Sequence, residues 1–354
     1  MIERKKRIGA LLLAAAMAFG LTGCLGKESG GERTKQGMEA IGALDYAGAL
    51  EDFEQALLDG EDFVLAYRGQ GMAYMGLARY EEAVDAFDEA LSYTDQKMPE
   101  TVRDLLLYKA SAQFRLKDYD GTIESCDRIL EEGEAQSADA LYLRGASYLC
   151  QGDQERARTD FDQSVALAPE DYPLYLNIYE CYESQNLSAV GDEYLQTALN
   201  IVPENAEDYY CIGEIYYYLQ QYDQAQNALR SPVEERYLPA LYLMGRIYLA
   251  QEDYTHAKSM YETVLQEDGE SAETYNGLAL CSLDAGAYDE ALEYISQGLA
   301  MEGETGKQEL YFNEIVAYER KLDFQTALEK AQAYAEKYPT DEAGQKELEF
   351  LQTR

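Results

Sequence analysis

Residues 37–56 read GMEAIGALDYAGALEDFEQA, and residues 71–90 read GMAYMGLARYEEAVDAFDEA. Gly37, Ala49, Phe53 and Ala56 in the first stretch stand against Gly71, Ala83, Phe87 and Ala90 in the second, each offset by 34 residues. The spacing returns in Gly145, Ala157 and Phe161, in Gly213, Tyr216 and Ala225, and in Gly245, Tyr248, Ala257 and Tyr261. It recurs more loosely around Ala291 and Ala327. Gly71 and Tyr74, Gly145 and Tyr148, Gly213 and Tyr216, and Gly245 and Tyr248 keep an i, i+3 spacing, so each pair shares a helical face. The period is that of a stacked helical hairpin. The glycine lets two helices approach closely, the alanine sits where they cross, and Tyr or Phe fills the gap to the next hairpin. Pro169, Pro203 and Pro339 stand where a second helix must stop.

A small residue, an aromatic three on, and then A-x3-F-x2-A resembles the tetratricopeptide repeat. The resemblance covers nearly all of residues 37–354. It implies an all-α solenoid, a right-handed superhelix of antiparallel helix pairs. Nine repeats are framed, starting near Arg33, Ala66, Arg103, Ala138, Tyr172, Ala206, Pro239, Ala272 and Gln308. Asp341 to Gln352 reads as the polar terminal helix that a solenoid needs for solubility. Several units depart from the pattern. The third has Ala110, Thr122 and Cys126 at the small, Ala and Phe positions, after an insertion around Pro99. The fifth has Tyr179 for Gly and Gly191 for Ala. The sixth is cut short at Pro232, and the ninth has Ile315 at the small position. Packing angles are expected to vary at these units.

The chain has 354 residues, 29 Lys and Arg against 67 Asp and Glu, and a net charge of −38. Such a surface repels phosphate backbones, so no nucleic-acid partner is expected. One His and no Trp, beside 32 Tyr, leave little scope for imidazole chemistry. Neither a Gly-rich phosphate loop after a strand nor a G-x-S-x-G elbow is present. Carboxylates are too numerous for any pair to single itself out. The reading assigns no catalytic residue, no metal ligand and no cofactor, and it does not expect an enzyme. His256 reads as a residue that caps or covers its helix.

Arg4, Lys5, Lys6 and Arg7 precede an apolar run from Ile8 to Leu21, 14 residues long. That run is short for a membrane span and suits an export signal. It ends in Leu21-Thr22-Gly23-Cys24, which resembles the lipobox of bacterial lipoproteins. In that family cleavage leaves the cysteine at the new terminus carrying lipid. Residues 1–23 then form the signal, Cys24 the lipidated residue, 24–36 a tether, and 37–354 the solenoid. Loss of the signal leaves a net charge of −41. The resemblance implies a location on the extracytoplasmic face of the cell membrane, anchored through two or more acyl chains. Five cysteines remain, Cys126, Cys150, Cys181, Cys211 and Cys281. They are expected as buried free thiols, with a bridge between neighbouring repeats left open.

In the tetratricopeptide family the first helix of each pair lines the ligand-binding face. Its inward positions here select Arg68, Met72 and Met75, then Tyr142 and Leu149, then Glu180 and Glu183. They go on to Tyr210, Glu214 and Tyr217, and end at Tyr242 and Arg246. The family's Lys/Asn clamp for a terminal carboxylate has no equivalent among these residues. The expected role is a non-catalytic scaffold holding a protein or peptide partner in the bacterial envelope. The alternative is a receptor that stacks glycan or another ligand on the Tyr-rich groove.

Overall fold

The computed structural model describes residues 31–354 apart from 96, 132–136, 268, 302, 304–305 and 340. The expected signal, Cys24 and the first part of the tether lie outside the described residues. Among those residues there are 20 helices and no strand. The chain divides into two compact units, one ending at Ile201 and one spanning Val202–Arg354. The first unit holds five helix pairs: α1 (Glu32–Gly42) and α2 (Tyr46–Leu58), α3 (Phe63–Gly76) and α4 (Tyr80–Ser92), α5 (Pro99–Arg115) and α6 (Tyr119–Glu131), α7 (Ala138–Cys150) and α8 (Gln154–Leu167), α9 (Tyr172–Ser184) and α10 (Ser188–Ala198). The second opens with α11 (Ala206–Tyr218), whose partner is broken into α12 (Tyr222–Ala228) and α13 (Arg230–Glu234). It continues with α14 (Leu238–Ala250) and α15 (Tyr254–Gln266), α16 (Ala272–Asp284) and α17 (Tyr288–Ala300), α18 (Lys307–Arg320) and α19 (Phe324–Lys337), and ends in α20 (Glu342–Leu351). Nine pairs and a terminal helix are what the 34-residue period leads one to expect.

The repeat residues meet as their sizes require. Phe53 on α2 is fully buried between α1 and α3. A Cβ on Gly37 would stand 2.7 Å from its ring and one on Gly69 would stand 2.2 Å away. Tyr261 on α15 does the same between Gly245 and Gly277, where the approaches would be 2.9 and 2.5 Å. One aromatic ring thus spaces two successive first helices, and burying it contributes about 2–3 kcal/mol. The departures obey the same accounting. Tyr179, 4% exposed, takes the volume a glycine would leave. Gly191 opposite returns it, since a Cβ there would reach the Tyr179 ring at 2.9 Å. In the sixth pair Leu229 stands in for the aromatic and packs on Gly213. Ala110, Thr122, Cys126 and Ile315 are all buried at their expected places.

The hairpin turns share one geometry. Each of the nine described turns carries one left-handed residue: Leu44, Ala78, Lys117, Gly152, Asn186, Gln220, Glu252, Gly286 and Leu322. The next amide bonds back to a carbonyl five residues earlier, as Asp45 to Ala40 and Asp153 to Tyr148, both at 2.9 Å. These bonds satisfy carbonyls at the end of the first helix. Asp45, Asp118, Asp153, Asp253 and Asp323 then cap the second helix by accepting the amide three residues on. Each such cap contributes about 1 kcal/mol. Part of the acidic excess is therefore structural.

Two findings differ from the sequence reading. Helix α1 begins at Glu32, inside the stretch 24–36 taken as tether. The reason lies elsewhere in the chain. The Glu61 carboxylate, in the turn before α3, accepts the amides of Arg33 at 3.0 Å and Thr34 at 2.8 Å. It also accepts the Thr34 hydroxyl at 2.7 Å. That hydroxyl bond is the chief reason the Glu61 carboxyl lies below its ordinary pKa. The second difference is that Tyr142, Met75 and Leu149, counted as groove residues, are buried. No described helix is long and apolar enough to cross a membrane.

Candidate functional site

In the first unit the nominated residues serve mainly as internal contacts. Arg68 on α3 donates its Nε to Asp104 at 2.6 Å and lies 5.4 Å from the centre of the Tyr108 ring. Tyr142 on α7 is 9% exposed. Its ring lies 6.0 Å from that of Phe161, and its hydroxyl sits 3.4 Å from the Cys181 sulfur. Burial, with Cys181 beside it, raises the Tyr142 hydroxyl well above its ordinary pKa. The ring is enclosed where α9 packs on α7, with Cys181 at the hydroxyl and Phe161 beside the ring. Glu180 and Glu183 are half-buried, and Glu183 accepts the Tyr179 hydroxyl at 3.3 Å.

The second unit brings its five nominated residues together. Arg246 on α14 lies over the Tyr217 ring of α11, 4.7 Å from its centre, and donates to the Tyr217 hydroxyl at 3.3 Å. Tyr218, Tyr242 and Tyr261 stand close around the guanidinium. Glu214 on α11 accepts a hydrogen bond from Tyr210. Burial raises the Glu214 carboxyl above its ordinary value, and nearby Arg246 partly offsets that. Tyr210 packs edge-on against Tyr237 at 5.7 Å, and Tyr242 against Tyr261 at 5.7 Å. All five are half-buried. Two successive first helices thus present one cationic head and one carboxylate within a wall of tyrosines. The i, i+4 spacing of Glu214 to Tyr210 and of Arg246 to Tyr242 puts each pair on one helical face.

A cavity of about 370 Å³ is lined on one side by Leu249, three residues after Arg246 on α14. Leu249, Leu280 and Leu283 form its apolar lining, with Tyr254 and Tyr288 contributed by the second helices. Asp284 and Arg320 stand at its polar edge, and Asp284 accepts the Tyr254 hydroxyl. The sequence reading nominated none of these residues. The signal was available: Leu280 follows Arg246 by one 34-residue period, and Leu283 follows Leu249 by the same period. One helix further on, Asn313 donates to Asn276 at 2.7 Å, tying α18 to α16.

The other candidates are structural. The described cysteines are free thiols, four of them buried and Cys150 half-buried. The His256 ring stacks on Tyr248 at 5.2 Å, and its Nδ1 lies 2.7 Å from Asp253. Arg144 on α7 forks onto Asp160 of α8 through two bonds at 2.8 Å and reaches Asp127 of α6 at 2.7 Å. It ties three helices together. Among the described residues no cluster of His, Cys, Asp or Glu is arranged to hold a metal ion.

Three tetratricopeptide-repeat family models match the chain, at residues 34–100, 138–171 and 248–305. Tetratricopeptide repeat protein 21B of Homo sapiens is 27% identical over 169 residues, which cover 45% of this chain and 12% of that protein. DnaJ homolog subfamily C member 3 of Gallus gallus is 23% identical over 273 residues, 74% of this chain and 50% of its own length. The chain thus spans half or less of these relatives. A crystal structure of a tetratricopeptide repeat protein from Parabacteroides merdae superposes with a TM-score of 0.46 at 16% identity, over 71% of this chain and 97% of that one. The chain carries tetratricopeptide repeats, recognised in those three stretches and continued between them by the same hairpin turns.

Proposed function

We propose that the chain is a non-catalytic scaffold, held by lipid on the outer face of a bacterial membrane, that grips a protein or peptide segment along the first-helix face of residues 202–354. The observation that carries the binding reading is the convergence of Tyr210, Glu214, Tyr217, Tyr242 and Arg246 from two successive first helices. Half-buried tyrosines offer large contact area with a polar tip and little rotamer entropy to lose. A glycan platform would need open ring faces. Here the face of Tyr217 is taken by Arg246, and Tyr142 is buried, so the peptide reading is the better supported.

The anchor reading rests on the basic residues Arg4–Arg7, the apolar run to Leu21 and the tetrapeptide ending in Cys24. Affinity purification of the full chain from its own membranes tests the groove. The Tyr210→Ala plus Tyr217→Ala variant, checked for a retained helical melt, is expected to lose the partner that the wild type retains. An unchanged partner set counts against the groove. Cys24→Ser is expected to block maturation or to release the protein from the membrane fraction. A Cys24→Ser protein that is still processed and acylated refutes the anchor.

A further inference from the structure

The cavity and the Arg246 cluster share helix α14. Leu249 lies three residues after Arg246 on α14 and lines the cavity, so their Cβ atoms are about 5–6 Å apart on one helical face. The cavity volume of about 370 Å³ is at the small end of ligand-pocket sizes, room for one large side chain. Its leucine lining is apolar and its edge polar, which suits an anchor residue entering from a chain that lies across the rim.

Arg246 differs from the other first-helix arginines described above. Arg144 and Arg68 are both paired with carboxylates. Arg246 has no ion pair with any described residue, although the chain carries 67 carboxylates. Its recorded hydrogen bond goes to the Tyr217 hydroxyl. A guanidinium has five donors in a fixed fork and stays charged at any working pH. Held among tyrosines and half-removed from water, it gains most from a carboxylate that completes the fork. Glu214 is close enough for its charge to act on Arg246, which disfavours a doubly charged group there. The chain's net charge of −38 favours a partner segment that is otherwise neutral or basic.

We infer that this face is a two-point receptor for an extended protein segment carrying one large aliphatic or aromatic side chain and, two or three residues away, one acidic side chain. The apolar group enters the cavity between Leu249, Leu280 and Leu283, and the carboxylate meets Arg246. The spacing follows from a rise of about 3.3 Å per extended residue against the about 5–6 Å between the Cβ positions of Leu249 and Arg246, with the reach of the arginine added. The inference rests on the peptide-binding reading above and specifies the chemistry of the segment.

The test uses the purified full chain and pools of capped nine-residue peptides. Each peptide has a central Leu or Phe and, two or three residues to either side, Glu, Gln or Lys; a further pool replaces the apolar residue by Ser. The Glu pool is expected to bind at least about tenfold more tightly than the Gln and Lys pools, the ratio set by a hydrogen-bonded charge. Arg246→Met should remove that preference and keep the dependence on the apolar residue. Leu280→Glu should bring the apolar pools down to the Ser pool, with the helical content unchanged. A Glu pool that binds no better than Gln or Lys overturns the inference. So does a preference that survives Arg246→Met, or apolar dependence that survives Leu280→Glu. If no pool binds while the purified natural partner still requires Tyr210 and Tyr217, the two-point receptor falls and the groove stands. If that partner is also indifferent to the tyrosines, both fall.

Discussion

Substituting Gly191 by Ala tests whether volume is conserved across a repeat. In an exposed helix the change would stabilise by about 1 kcal/mol, because glycine is the poorer helix former. At this site the new Cβ would stand 2.9 Å from Cδ2 of Tyr179, 3.1 Å from its Cα and 3.2 Å from its carbonyl oxygen. Two of those atoms are backbone. The ring is 4% exposed and its hydroxyl is bonded to Glu183, so no free tip can swing away. Overpacking of this kind costs about 1–3 kcal/mol, and the net expectation is a loss of up to about 2 kcal/mol. In a Tyr179→Ala background the 2.9 Å ring contact is gone, while the backbone contacts at 3.1 and 3.2 Å remain and offset the helix gain. There Gly191→Ala should be about neutral. The coupling between the sites is then up to about 2 kcal/mol, within the range of residues in contact. Urea unfolding of the four proteins measures it. Hydrogen exchange of the α9 and α10 amides localises the change, because repeat arrays open in parts. An effect of Gly191→Ala that has the same sign and size in both backgrounds would falsify the size-exchange argument.

Three further outcomes follow from single features. Arg144→Met leaves the Asp160 carboxylate, whose side chain is 5% exposed, without its partner and should destabilise by about 3 kcal/mol; adding Asp160→Leu should restore most of it in the same denaturation assay. Burial and the facing carboxyl of Glu347 push Glu319 up to about 7 from 4.5, so the folded chain holds that proton more tightly than the unfolded one. Stability is then fully present below about pH 4.5 and falls as pH rises to about 7, by about 1–2 kcal/mol once partial exposure is discounted. Glu319→Gln should flatten that window and leave the protein more stable at pH 8, and a pH series of melting temperatures with an unchanged slope would refute it. Leu322 sits at φ 64° and is 74% exposed, so Leu322→Gly should raise the unfolding free energy by about 0.5–1 kcal/mol, read as a higher urea midpoint.

The solenoid was legible because its spacing is enforced by volume. A ring such as Phe53 or Tyr261 admits only glycine on the helices it separates, and a residue forced by contact recurs at every turn of the repeat. The terminal helix was legible for an equally local reason, the capping Asp341. Pro232 signalled a disturbed second helix, but that helix is not cut short there: it breaks at Leu229 and continues through Pro232 to Glu234, because proline lacks the amide that would bond back to Ala228. The start of α1 was not legible, because its capping group, Glu61, lies 27 residues from Thr34. Nor was the burial of Tyr142. Its position in the helix is that of a groove residue, and what encloses it is Phe161 of α8 beside the ring and Cys181 of α9 at the hydroxyl. The cavity escaped because leucines at groove positions look like core leucines until neighbouring side chains are placed. Arg246, Glu214 and their tyrosines were found because charge on an inward helical position is hard to mistake for packing. Gly152, Gly286 and Asn186 suit a left-handed turn, but the other six turn residues gave no signal: leucine, alanine, lysine, glutamine and glutamate occupy positions where glycine would sit with less strain.

The central claim is that the partner lies on the first-helix face of residues 202–354. Site-specific photocrosslinking from within native membranes tests it directly. A photoreactive phenylalanine analogue placed at Tyr242 or Leu280 should trap one protein partner, while the same group at Glu262, exposed on the second helix α15, should not. A partner trapped from Glu262 and from neither groove position would contradict the account.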